Sequence, residues 1–426
     1  MTLTQLPAGD HGLLSARPEP DLGAVGYEES EHLLTTERGT TRVVVRRPLP
    51  GLSRSVSGTL LVEWLNVSSG SDAAPDWTFA ADEILRAGHA WAGVSAQHVG
   101  AMGGVAAVAI DAAPTGGLRG RDPERYAAID HPGDTHSYDF FTAAALAVRA
   151  LVGADVVLAV GESQSAALLT TYANEVQPRT GTFDGFLVHS RPAVAAPLVL
   201  ADEQGPAMRM DEMLGGGPVL FRDDLGVPVL VVQTEGDLFD RIGFLPARQP
   251  DTDRFRLWEV AGAAHADGYV IGEFESFLGC VVPVNRGQQW VVVRAAVRAL
   301  DQWVRDGVAP PAADRLEVDA DGTDFVRDEH GLVRGGVRTP AVDAPADVVS
   351  GRPWPDSTSA CRLFGSTTPL AAPAFASHAD YLAAYEAATD AMVAAGFACP
   401  EDRDALLAEA RPDRSDLADD PVSLTT

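Results

Sequence analysis

Apolar and polar positions alternate along the chain in two ways. Short runs rich in Val, Leu, Trp and Phe predict strands at Tyr27–Thr35, Thr41–Arg47, Gly58–Leu65, Ala90–Ser95, Ala154–Val160, Phe183–His189, Val227–Gln233 and Phe255–Val260. Between and after them, helical spacing predicts helices over Trp77–Ala87, Tyr138–Val152, Ser165–Glu175 and Gln288–Asp306. In the last of these Trp290, Val293, Ala296, Val297 and Leu300 share one side. The first two strands read as an antiparallel pair joined across Gly39, with Pro48 and Pro50 stopping the second. The N-terminal stretch before them is rich in Pro, Gly and charge without a period, so it is expected to lie on the surface as an arm. Residues 96–136, with paired glycines and the charged run RGRDPERY, read as loop.

Alternating strands and helices imply an α/β fold with a mostly parallel central sheet and helices on both faces. Ligands in such sheets bind beyond the C-terminal ends of the strands. Residues 191–226 are rich in Pro, Gly, Met and Ala and fall at that edge, where a cap insertion would cover a site. Residues 1–306 are therefore expected to form the core. Residues 307–426 do not repeat the earlier pattern and include two helices, Ser377–Ala395 and Glu401–Ala410; they are expected to pack on the core as a C-terminal extension.

Charge narrows the partners. The chain has 32 Lys plus Arg against 60 Asp plus Glu, a net charge of −28, so its surface repels nucleic acid backbones and anionic membranes. No apolar run approaches a membrane span and no leader pattern opens the chain, so a cytoplasmic location is expected. The sequence leaves monomer and homo-oligomer both open. Cys280, Cys361 and Cys399 are too few and too scattered for a disulfide framework or a metal site, although one disulfide with one thiol left over is compatible with them. His131, Asp134, His136 and Asp139 crowd the stretch HPGDTHSYD, but its histidines lack a paired helical spacing, and Asp139 reads as the start of a helix; no metal is expected. The glycine pairs are not followed by a phosphate loop with Lys, so no nucleotide or other cofactor is expected.

The chemistry centres on Gly161-Glu162-Ser163-Gln164-Ser165, set between a predicted strand and a predicted helix. A sharp turn there holds a serine in a strained conformation with its hydroxyl at the sheet edge, and it requires small residues two before and two after the serine. Serine needs a base, and His265, in the small-residue loop AGAAHAD after the last strand, is the best placed of the histidines. The imidazole in turn needs a carboxylate. Asp237 is preferred and Glu235 is the alternative acid, both in the TEGD loop that follows VPVLVVQ. The chain order Ser163, Asp237, His265 is the order of one serine hydrolase design.

These residues resemble the α/β-hydrolase superfamily: GESQS is similar to the GESAG elbow of carboxylesterases, and QTEGD and AGAAHAD are similar to its acid and histidine loops. EWLNVSSGSDAAPDW, GHAWAGVSAQ, HPGDTHSYD, FDGFLVHSR and GGVRTP further resemble a bacterial "alpha/beta hydrolase domain-containing" family, from about Gly58 to the C-terminus, whose substrates are poorly defined. The resemblance implies an oxyanion hole made of the Gln164 N–H and a donor from the Asn66–Ser68 loop, with Asn66 the testable choice. A serine esterase acting on a small-molecule ester is expected. An amidase, lactonase or acyltransferase would use the same residues, and a catalytically silent binding protein would keep only the fold. Arg191 is read either as a holder of a substrate carboxylate or as a surface ion pair, and Glu162 as part of the core or of a polar network.

Overall fold

The computed structural model describes residues 1–49, 51, 56–108, 116–199, 207–208, 215–358 and 360–414. Nine strands form one sheet: β1 Thr2–Gln5, β2 Tyr27–Thr36, β3 Gly39–Pro48, β4 Thr59–Trp64, β5 Ala90–Val94, β6 Val156–Glu162, β7 Gly185–His189, β8 Val229–Thr234 and β9 Phe255–Val260. Their order is β1-β2-β3-β5-β4-β6-β7-β8-β9. Pairing is antiparallel from β1 through β2 and β3 to β5, and parallel for β4 with β5, β4 with β6, and β6 with β7. Strands β4, β5 and β7 are buried at every position, which is why they read as unbroken apolar runs rather than as alternations.

The N-terminal residues are not simply an arm. Thr2–Gln5 pairs with Leu33-flanking residues of β2 as an edge strand. Three of its four residues are exposed, so it buries too little to leave a period in the sequence. The stretch 96–136 likewise carries short helical turns at His98–Met102, Gly117–Arg121 and Asp134–His136. The strand expected from Phe183 begins at Gly185, because Phe183 turns into an aromatic cluster with Phe141, Tyr172 and Phe186.

The principal helices are α1 Pro75–Ala87, α2 Ser137–Val152, α3 Gln164–Thr171, α4 Gln289–Asp306, α5 His378–Ala394 and α6 Arg403–Ala408. Gly88 and Gly153 end α1 and α2 in the left-handed conformation that glycine adopts without cost. Helix α3 passes into a π-turn over Tyr172–Val176. Trp290, Val293, Ala296, Val297 and Leu300 of α4 are all buried. Among the described residues, no helix is long and apolar enough to cross a membrane.

The chain separates into two compact units, one of residues 1–231, 243–256 and 297–309, the other of residues 232–242, 257–296 and 310–426. In the first unit, Thr59 and Asp301 share a hydrogen bond of 2.6 Å, and Arg298 pairs with buried Glu83. In the second, β10 Asp347–Ser350 pairs with β11 Ser366–Pro369, and α5 and α6 meet in a cluster where Ala344, Ala346, Phe375 and Leu407 pack with Tyr381 and Tyr385. Cys280 and Cys361 form a disulfide, and Cys399 is a buried cysteine outside that bond. Of the expected cap stretch, residues 200–206 and 209–214 lie outside the described residues, as does Pro50.

Candidate active site

Ser163 sits at the turn from β6 to α3 with φ 60° and ψ −116°. A positive φ in a non-glycine residue is a strained conformation that persists only where the surroundings impose it. Here the Ser163 N–H donates to the His189 carbonyl at 2.9 Å, so the neighbouring strand β7 fixes the turn from one side. The small residues flanking it follow from space: a Cβ on Gly161 would lie 2.9 Å from Leu169 Cδ1 and 3.2 Å from Ser165 Cβ. Gln164 is the first residue of α3. The N–H of a first helical residue has no acceptor within its own helix and points outward.

Glu162 and Asn66 are joined. The Asn66 amide donates to the Glu162 carboxylate at 3.1 Å and to its carbonyl at 3.2 Å, while its oxygen accepts the Ser68 N–H at 2.8 Å. The Asn66 N–H itself donates to Ala73. The Asn66 side chain is therefore committed to holding its loop against the end of β6.

The start of α1 holds a feature the sequence did not disclose. Its N-cap, Ala74, has no side-chain oxygen to offer, so Glu63 of β4 caps the helix from a distance by accepting the N–H groups of Asp76 and Trp77 at 3.0 and 2.9 Å, and the Trp91 indole at 2.9 Å. Burial, then the nearby Asp76 carboxylate, pushes the Glu63 carboxyl well above its ordinary pKa. Asp76 in turn pairs with the fully buried His189 ring at 3.0 Å. A lone Glu within an apolar strand carries no local signal of this role.

In the other unit, Asp237 and His265 come together. Asp237 Oδ1 meets His265 Nδ1 at 2.6 Å, and its second oxygen accepts the Thr234 N–H at 2.7 Å. Because a carboxylate only accepts, the ring must donate from Nδ1, which leaves Nε2 as the basic nitrogen. Asp237 is fully buried and His265 nearly so. Gly236 permits the approach of the two loops: a Cβ there would lie 2.8 Å from the His265 nitrogen. Glu235, the alternative acid, points elsewhere; it accepts from Arg327, Ser350 and the Gly262 N–H.

Arg191 is buried rather than in a surface ion pair. Its guanidinium donates to the carbonyls of Pro192, Ala193 and Val219 and lies over the rings of Phe221 and Phe244. Burial lowers its pKa to about 9. Within HPGDTHSYD, Asp134 accepts from the N–H groups of His98 and Met208, and His131 bonds Ala96 and Gly133. Asp139 lies in the first turn of α2, at the start of the helix as expected. Among the described residues no group of His, Cys, Asp and Glu is arranged to hold a metal ion.

The comparison with known families decides the wider assignment. Residues 35–408 match the family described as "Alpha/beta hydrolase domain". The chain belongs to the α/β-hydrolase family. No curated protein matches it. Solved structures with a similar fold include an α/β serine hydrolase without a lid from Xanthomonas campestris, at 14% identity, covering 58% of this chain and 88% of that one, with a TM-score of 0.35. Another is a fungal esterase from Rhizomucor miehei, at 13% identity, covering 68% and 94%, with a TM-score of 0.37. A structure titled arylesterase is similar at 10% identity, covering 51% and 69%, with a TM-score of 0.30. In this α/β hydrolase the family match spans the mostly parallel sheet and its helices.

Proposed function

We propose that the protein is a serine hydrolase of carboxylic esters. Ser163 attacks the acyl carbon while His265 Nε2 takes the hydroxyl proton and returns it to the departing alcohol. Asp237 orients the ring and offsets its charge. The Gln164 N–H serves the oxyanion, together with a donor from the Asn66 loop. Because the Asn66 amide and the Ser68 N–H are engaged, that second donor is the Val67 N–H or the Ser68 hydroxyl, which is buried with no protein partner among the described residues. Water then attacks the acyl-enzyme, with His265 as base, and releases the acid. No cofactor enters this scheme.

The observation that carries the reading is the 2.6 Å pairing of His265 with a fully buried Asp237. The positive φ of Ser163 at a strand-to-helix turn supports it. Buried carboxylate–imidazole pairs held in one tautomer are what a serine nucleophile requires. The substrate is a small molecule, with ester preferred to amide, lactone or acyl acceptor.

A fluorophosphonate probe tests this. Wild-type protein is expected to take the label and Ser163→Ala to take none, with hydrolysis of aryl esters falling by about 10⁴- to 10⁶-fold. Folded wild-type protein that resists the probe would overturn the enzyme reading in favour of a binding protein. Aryl esters of graded chain length, set beside the matching anilides and lactones, then rank the substrate classes.

A further inference from the structure

We infer that Asn285 is a positioning residue for the His265 imidazole, and that Ser350, Gly351 and residues 361–367 are part of the same mount. His265 stands on a loop, not on a helix or strand, so its rigidity must come from elsewhere. Asn285 supplies it. Its Oδ1 accepts the Ala264 N–H at 3.1 Å and the Gly287 N–H at 2.8 Å; its Nδ2 donates to the Gly262 carbonyl at 2.7 Å and the Ser350 carbonyl at 3.0 Å, with Ser366 at 3.4 Å. The side chain is wholly buried and uses both its acceptor lone pairs and both its donor hydrogens. An apolar residue of the same size could fill the space but would leave those loop groups unsatisfied.

The C-terminal segment completes the grip. The Ala266 N–H donates to the Leu363 carbonyl at 3.1 Å, so the N–H groups on either side of His265 are both held by outside partners, Ala264 by the Asn285 side chain and Ala266 by the main chain. The Asn285 N–H donates to Phe364 at 2.9 Å and the Thr367 N–H to Pro283 at 3.0 Å. Glycines allow this close approach: a Cβ on Gly351 would fall 2.2 Å from the Ala263 oxygen, one on Gly287 2.4 Å from the Gly262 oxygen, and one on Gly365 2.9 Å from Ala264 Cβ. The Cys280–Cys361 bond ties the segment to the chain just before Asn285. Residues beyond 307 thus help to build the corner that holds the base.

The kinetic consequence rests on the proposed hydrolase reading; the structural one does not. In the full chain, Asn285→Ala is expected to lower kcat for an aryl ester by about 100-fold with KM little changed, as a small misplacement of a catalytic group does. Asn285→Asp keeps the two acceptor bonds but sets a buried carboxylate oxygen against the Gly262 and Ser350 carbonyls, so its loss should be at least as large. Proton NMR supplies a readout that does not need turnover. The downfield resonance of the His265 Nδ1 proton should be sharp in wild type and broadened or absent in Asn285→Ala, with circular dichroism unchanged. Should Asn285→Ala fail to fold, Asn285→Ser, whose small hydroxyl can still serve one of the loop groups, carries the same test. A kcat within about threefold of wild type together with an intact downfield resonance would overturn the proposal. Failure of wild type to react with the fluorophosphonate would sink the hydrolase reading alone, and the resonance would still decide the mount.

Discussion

Replacing Asp237 with Asn tests the proposed base at its most specific point. Asp237 divides its two oxygens, one to the Thr234 N–H at 2.7 Å and one to His265 Nδ1 at 2.6 Å. In the Asn variant the Thr234 N–H still needs an acceptor, so the amide oxygen must take that side and the NH2 group must face the ring. An NH2 group donates, so the imidazole is forced to accept at Nδ1 and carry its proton on Nε2, where it cannot serve as a base. The expected loss is about 10⁴-fold in kcat, equivalent to about 5.4 kcal/mol of transition-state stabilisation, with KM nearly unchanged. Initial rates of aryl ester hydrolysis measure it, with circular dichroism to confirm the fold. Glu235→Gln is the control: it weakens the contacts to Arg327 and Ser350 and lowers stability, while kcat stays close to wild type. An Asp237→Asn enzyme retaining more than about a tenth of wild-type kcat, or a larger loss in Glu235→Gln, would refute the reasoning.

Three further outcomes follow from the structure. His131 donates from Nε2 to Ala96 and accepts the Gly133 N–H at Nδ1, and its pKa is lowered to about 4, chiefly by burial. Since the folded pKa lies below the unfolded value near 6.5, this stabilisation is fully present above about pH 6.5 and is lost as pH falls towards 4, by roughly 3 kcal/mol, a limb that should vanish from urea titrations of His131→Gln. Ser163→Gly should unfold at higher denaturant than wild type, because relief of the positive φ, worth about 1–3 kcal/mol, exceeds the roughly 0.5–1 kcal/mol that glycine loses in entropy; a less stable variant would count against strain at the elbow. The Cys280–Cys361 bond closes a separation of 81 residues, so Cys361→Ser should lower stability by about 4 kcal/mol. Thiol titration of freshly purified, denatured protein should count one free cysteine where the bond is formed and three where a reducing cytoplasm has prevented it.

Much of the architecture was legible because burial on both faces leaves a direct trace in composition. The strands β4 to β9 stand out as apolar runs, and helix α4 after them shows its period in residues such as Trp290, Val293 and Leu300. The elbow was legible for a related reason: a strand-to-helix turn excludes large side chains, so Gly161 and Ser165 mark it. Asp237 and His265 could be singled out because loops after strands fall at one edge of a parallel sheet. Their pairing could not be read directly, since 28 positions separate them and a loop can turn either Asp237 or Glu235 toward the ring. Tertiary contacts decided that choice, with Arg327 and Ser350 holding Glu235 away. The same holds for Glu63 at the start of α1, for Arg191 among carbonyls and rings, for the pairing of Cys280 with Cys361, and for Asn285. Each is a polar residue whose role depends on partners distant in sequence, and such partners leave no period. Local pattern determined which segments became strands, helices and turns; only the folded chain, by bringing distant donors and acceptors within hydrogen-bond reach, determined what the buried polar side chains hold in place.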